Sequence, residues 1–235
     1  MLSIFKRYIA LLLIFIGIGF LWDTLFVYPL KIFVVFMHEV SHGLAAIATG
    51  GRIVEIQINP QQGGHALTQG GSRFLTLTAG YLGSLLWGGL ILLLAARTRF
   101  DKAISTLIGI GMVAISIGFG ESAFTYLFGI GFGVALVAIG FYLPEAVNDW
   151  VLRIIGVTSC LYAILDIKSD VLDRSHLRSD ARMLSEVTGI PTEVWGVLWI
   201  LIAIGLTLWF LYLSGKTADA EPTSLEENAE EISNG

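Results

Sequence analysis

Charge is scarce in this chain. Asp, Glu, Lys and Arg make up 14% of its 235 residues while 55% are hydrophobic, whereas soluble domains carry about 25% charged residues. So few ionic groups cannot cover a water-facing surface, which excludes an ordinary soluble domain. The one cysteine, Cys160, has no partner in the chain, so a disulfide scaffold is excluded. Without a three-residue glycine repeat there is no collagen-like rod, and polarity is too low for a disordered chain. Basic runs interleaved with aromatics are missing outside the apolar stretches, which leaves nucleic acid without a binding surface. Acid is sparse as well once the C-terminus is set aside. Asp219, Glu221, Glu226, Glu227, Glu230 and Glu231 crowd the last residues, and elsewhere the charges nearly cancel.

What the chain has in abundance is long apolar runs, and a membrane-crossing helix needs about 20 such residues. Runs of this kind cover 8–26, 30–49, 74–96, 103–119, 123–143, 150–167 and 194–213. They predict six to seven spans, depending on the first, which Asp23 and Tyr28-Pro29 end or bend. No small-x-small cleavage site follows that first run, so it reads as an anchor and not as a signal peptide. Glycines concentrate inside the spans, as Gly80-xxx-Ser84-xxx-Gly88 and Gly129-xxx-Gly133, a spacing that lets helix backbones approach closely and that we read as bundle packing.

Three segments are not spans. Residues 51–73 alternate apolar and polar side chains and then turn at Asn59-Pro60 and Gly63-Gly64, the pattern of a β-hairpin. Residues 168–193 are polar, with a short helix over 179–187 that Ser179 is placed to cap. Residues 214–235 read as a disordered acidic tail. The expectation is an all-α polytopic membrane protein in the cell membrane, with one domain over 1–213 and a small membrane-associated hairpin.

The chemistry lies in the second run, where His38-Glu39-Val40-Ser41-His42 forms His-Glu-x-x-His. Four residues advance an α-helix by about 400°, which leaves the two histidines roughly 40° apart and about 6 Å apart along the axis. Both can reach one metal ion, and Glu39 projects beside them as a general base. A zinc ion in such a site lowers the pKa of water from about 15.7 to about 7. Ionisable residues inside spans are costly and mark function by default. Among the other polar residues, Asp166 at the end of the sixth run also calls for a metal or cation partner. His65 in the hairpin is placed to contact a substrate or steady an oxyanion, and His176 is a weaker candidate. Gln57 and Asn59 have amides to offer an extended peptide added beside the hairpin.

His38-Glu39-Val40-Ser41-His42 in a membrane span resembles the motif of the site-2 protease family of intramembrane zinc metalloproteases. The likeness extends to Gly50-Gly51 with its hairpin, and to Ser179-Asp180-Ala181-Arg182-Met183-Leu184, which is similar to the family's later Asp-Gly motif, with Ala181 where the family has Gly. The chain is closest to the compact branch that lacks PDZ and CBS domains. The resemblance implies an intramembrane zinc metalloendopeptidase that cleaves a locally unwound membrane protein or membrane-anchored peptide. His38, His42 and Asp180 would be the zinc ligands and Glu39 the catalytic base, with Asp166 the competing third ligand. Two other classes share this composition: a non-catalytic membrane scaffold or binder, and a proton- or metal-linked transporter. Seven spans with the N-terminus inside would put Lys6, Arg7, Arg52, Arg73, Lys168, Arg174, Arg178 and Arg182 in the cytoplasm.

Overall fold

The computed structural model describes residues 2–173 and 178–216, so His176, Arg174 and nearly all of the acidic tail lie outside the described residues. In chain order the elements are α1 (Leu2–Phe20), α2 (Tyr28–Ala48), β1 (Arg52–Ile58), β2 (Gly64–Gln69), α3 (Arg73–Arg97), α4 (Asp101–Phe119), α5 (Ala123–Tyr142), α6 (Glu145–Lys168), α7 (Asp180–Thr188) and α8 (Thr192–Gly215), with a π-helical turn, Ser169–Asp173, closing α6. Six of the described helices, α2 to α6 and α8, are long and apolar enough to cross a membrane. The protein is therefore a multi-pass, all-α membrane protein with a small two-stranded sheet.

The first run is shorter than its hydropathy suggests. α1 stops at Phe20 and residues 21–27 form turns, so the helix ends before the apolar run does. The break has a local cause: Pro29 sits in the first turn of α2, where its fixed φ and missing N–H start a helix but could not continue one. Serines cap three later helices. Ser72, Ser122 and Ser179 accept from Leu75 N, Thr125 N and Arg182 N at the heads of α3, α5 and α7, as expected for Ser179.

α3 and α8 run side by side in the same direction. The Phe74 and Trp195 rings meet at 5.8 Å near their starts, and Arg97 Nη2 donates to Leu213 O at 3.2 Å near their ends. Tyr8 Oη donates to Tyr212 O at 3.0 Å, so α1 begins at the end of the bundle where α3 and α8 finish. This corrects the sidedness expected from the sequence: the turns of α1 that carry Lys6 and Arg7 lie opposite the end where Arg73 and Arg178 line a common cavity. Single cysteines replacing Arg73 and Arg178 are expected to react with an impermeant thiol reagent from one side of the membrane, and one replacing Lys216 from the other. Labelling of positions 73 and 216 from the same side would refute this arrangement.

The hairpin is antiparallel, pairing Gln57 with His65 and Ile58 with Gly64, with an irregularity between Ile53 and Glu55. A sheet edge beside apolar helices needs its hydrogen bonds met by protein. The outer edge of β1 is met by the α4–α5 connection. Glu121 N donates to Ile56 O at 3.2 Å, Ile58 N to Thr125 Oγ1 at 2.9 Å, and Ser122 Oγ to Ile58 O at 3.2 Å. Ile56 and Ile58 are fully buried, packed with the α2 run from Ile32 to Phe36 in the main core. Tyr28 Oη also donates to Pro60 O at 2.8 Å, fastening the tip of the hairpin to the start of α2. The glycine stripes pack as read: Gly133 lies against the Gly109 carbonyl between α5 and α4, and Gly88 against the Gly156 carbonyl between α3 and α6.

Candidate metal centre

The helical spacing of the motif brings His38 and His42 onto one face of α2, with ring centroids 4.8 Å apart. The pair meets three other elements. His42 Nδ1 donates to the Thr76 carbonyl of α3 at 2.6 Å, which fixes the plane of the ring and leaves Nε2 directed toward Asp180. Asp180, the first residue of α7, presents Oδ2 at 2.9 Å from His38 Nε2 and 3.1 Å from His42 Nε2. Tyr81 of α3 lies edge-to-face against His38 at 5.0 Å.

α3 comes this close because residue 80 has no side chain. A Cβ on Gly80 would lie 2.6 Å from His42 Nε2 and would also collide with His38 Nε2. Sequence reasoning missed this role, because within the stripe Gly80-xxx-Ser84-xxx-Gly88 Gly80 looks like any packing glycine. It missed Thr76 as well, whose contribution is a backbone carbonyl and leaves no mark in residue type. Tyr81 was likewise one aromatic among many in an apolar helix.

One ligand atom from each of His38, His42 and Asp180 lies within 4.8 Å of the others, a group of residue types able to hold a metal ion. The set suits zinc. Zinc–nitrogen and zinc–oxygen distances of about 2.0–2.2 Å place tetrahedral ligands about 3.3–3.5 Å apart, and catalytic zinc sites use three protein ligands. The contacts of 2.9 and 3.1 Å from the imidazoles to Asp180 are close to that spacing. Burial pushes the Asp180 carboxyl up, but the His42 and His38 imidazoles outweigh it and hold the group well below the usual carboxylate range, so it is a charged acceptor at neutral pH.

Glu39 is 5% exposed and lines, with both histidines and Asp180, a cavity of about 870 Å³. Asp166 lines the same cavity but is not in the His38, His42 and Asp180 group, so the fold brings Asp180 and not Asp166 to the histidines. His65 also faces the cavity, over half exposed and 3.4 Å from Glu55 Oε1. Gln57 and Asn59 are not among its lining residues. Asn59 Oδ1 instead accepts from Gln61 N and Gly63 N, so that amide oxygen shapes the turn and does not face a peptide. β2 has β1 on one side only, and its residues from Gly64 to Thr68 line the cavity. A Cβ on Gly64 would lie 2.7 Å from Glu39 Oε1, so the strand begins beside that carboxyl.

Compared with known proteins, the chain matches neither a curated protein nor a solved structure. The family model for Peptidase M50B-like proteins matches residues 10–210. That stretch takes in every element that builds the cavity, from the motif helix α2 through the hairpin and α3 to α7. Since it covers most of the sequence, the chain belongs to the Peptidase M50B-like family, within the site-2 proteases.

Proposed function

We propose that the protein is an intramembrane zinc metalloendopeptidase of the cell membrane, acting on a membrane protein or membrane-anchored peptide whose helix has locally unwound. Residues 1–213 serve as one catalytic domain and 214–235 as an acidic tail. The observation that carries this reading is the convergence of His38, His42 and Asp180 beside the buried carboxyl of Glu39. A membrane scaffold or binder has no use for a general base beside metal-ligand residues.

His38, His42 and Asp180 would hold the zinc, which when bound supplies Lewis-acid polarisation of water and of the scissile carbonyl. Glu39 takes the proton of the attacking water and passes it to the leaving amine, the general acid–base role. Thr76 and Asp180 keep the two imidazoles turned toward each other, so that little reorganisation is needed at the moment of reaction. An unwound substrate lies extended along β2, where backbone hydrogen bonds hold it and side chains reach alternate faces. Unwinding is required because the carbonyls of an intact helix are already hydrogen-bonded and shielded by its side chains.

Reconstituted in lipid vesicles, the protein is expected to carry about one zinc per chain and to cleave a membrane-spanning reporter in a chelator-sensitive way. Protein that holds no metal and cleaves nothing would overturn the proposal. In a chelator competition, Asp180→Asn is expected to weaken zinc binding by at least ~10-fold and Asp166→Asn by clearly less. The reverse ranking would transfer the ligand role to Asp166.

A further inference from the structure

We propose that Tyr81 is a positioning residue of the metal centre, coupling the plane of the His38 imidazole to the placement of Asp180 through a hydrogen bond to Asp170. The inference rests on the zinc reading above and goes beyond it, because Tyr81 and Asp170 are neither ligands nor base.

Tyr81 is 1% exposed, and its ring is fixed from two sides, by His38 at 5.0 Å and an interplanar angle of 83°, and by Trp199 of α8 at 5.1 Å. Trp199 is itself backed by Trp195 at 6.0 Å, which rests on Phe74 at 5.8 Å. A continuous file of aromatic rings therefore reaches from the start of α3 through α8 to His38. Packing alone would accept phenylalanine at position 81. The hydroxyl has its own partner: it donates to Asp170 Oδ2, in keeping with the need of a buried tyrosine for an acceptor.

Asp170 lies in the π-helical turn Ser169–Asp173 where α6 ends, a rare form of helix that frequently accompanies functional sites. That turn begins the connection from α6 to Asp180. The Tyr81–Asp170 bond thus ties the root of the connection to α3, the helix that already holds His42 through Thr76. One side chain so packs against His38 and is tied to the turn that precedes Asp180 in the chain. Partners of this kind beyond the ligands change metal affinity by about 10–100-fold when removed.

The test is zinc affinity by chelator competition, with the cobalt-substituted protein's absorption spectrum as a second readout, on full-length protein in detergent or vesicles. Tyr81→Phe keeps the ring and loses the hydroxyl, and is expected to weaken zinc binding about 10-fold. Asp170→Asn should weaken it at least as much, and the double variant should fall no further than Asp170→Asn alone, because both changes remove one bond. Tyr81→Leu, which removes the ring as well, should shift the cobalt bands. If Tyr81→Phe leaves zinc affinity and the cobalt spectrum at wild-type values, or if the two single effects multiply in the double variant, the coupling does not exist. A change confined to thermal unfolding of the metal-free protein would mark Tyr81 as core packing and overturn the inference. Wild-type protein that binds no stoichiometric metal would instead overturn the zinc reading, and this inference with it.

Discussion

Glu39→Gln should abolish peptide cleavage while leaving bound zinc at the wild-type level. The substitution keeps the size and hydrogen-bonding reach of a side chain that is 5% exposed and removes only its ability to take a proton, a change worth about 10²- to 10⁴-fold in rate. His38→Ala and His42→Ala have a different signature, since each deletes a ligand atom and the metal is lost with the activity. Measuring zinc and cleavage of a membrane-spanning reporter on the same preparations separates the two classes. Cleavage by Glu39→Gln at the wild-type rate would end the metalloprotease reading.

Gly80→Ala should be as damaging as loss of a ligand, although it adds only a methyl group. Its Cβ would lie 2.6 Å from His42 Nε2 and would collide with His38 Nε2 too, so α3 must withdraw from α2 or the imidazoles must turn away. Either response breaks the hold of Thr76 on His42 or the convergence on Asp180. Overpacking of this kind costs about 1–3 kcal/mol, and here the strain falls on the metal-facing atoms. We expect zinc binding to be lost while the protein still inserts and folds. The control is Gly111→Ala in α4, where nothing lies within 4 Å of the added carbon. There alanine should be neutral or stabilise the helix by about 0.5–1 kcal/mol. Unchanged zinc affinity in Gly80→Ala would show that the two helices are further apart at this point than described.

Hydropathy located most of the helices within a few residues because apolar length is itself the physical requirement for crossing a bilayer. It overran at the first, where a hydropathy window reads through Trp22 and Leu25 while the chain is already turning ahead of Pro29. The histidines and Glu39 were legible because their spacing matches the helical repeat and because ionisable groups stand out against apolar surroundings. Asp180 was legible only through resemblance to a family motif. Its approach to His38 depends on how α7 packs against α3 and α8, and no local pattern encodes that. Gly80, Thr76 and Tyr81 were opaque for a related reason: a missing side chain, a backbone carbonyl and one more aromatic carry no chemical label until the neighbouring helix is in place. The hairpin and Asp180 do share one side, as expected, but counting the first run as a full crossing put the start of α1 there too, whereas it begins at the opposite end of the bundle.

Asp180 reaches the motif histidines from a position 142 residues after His38. At about 5–20 residues per second, roughly 7–30 seconds of synthesis separate the two. Under the proposed roles, the nascent protein would carry the histidine pair and the Glu39 base throughout that interval without the third ligand. A ribosome stalled before α7, or a chain cut within α6, would then leave a precursor that cannot hydrolyse its neighbours, and competence would arrive only once α6 has been inserted and α7 has docked. On that assignment the order of translation would act as a safety interlock for the membrane in which the protein is made.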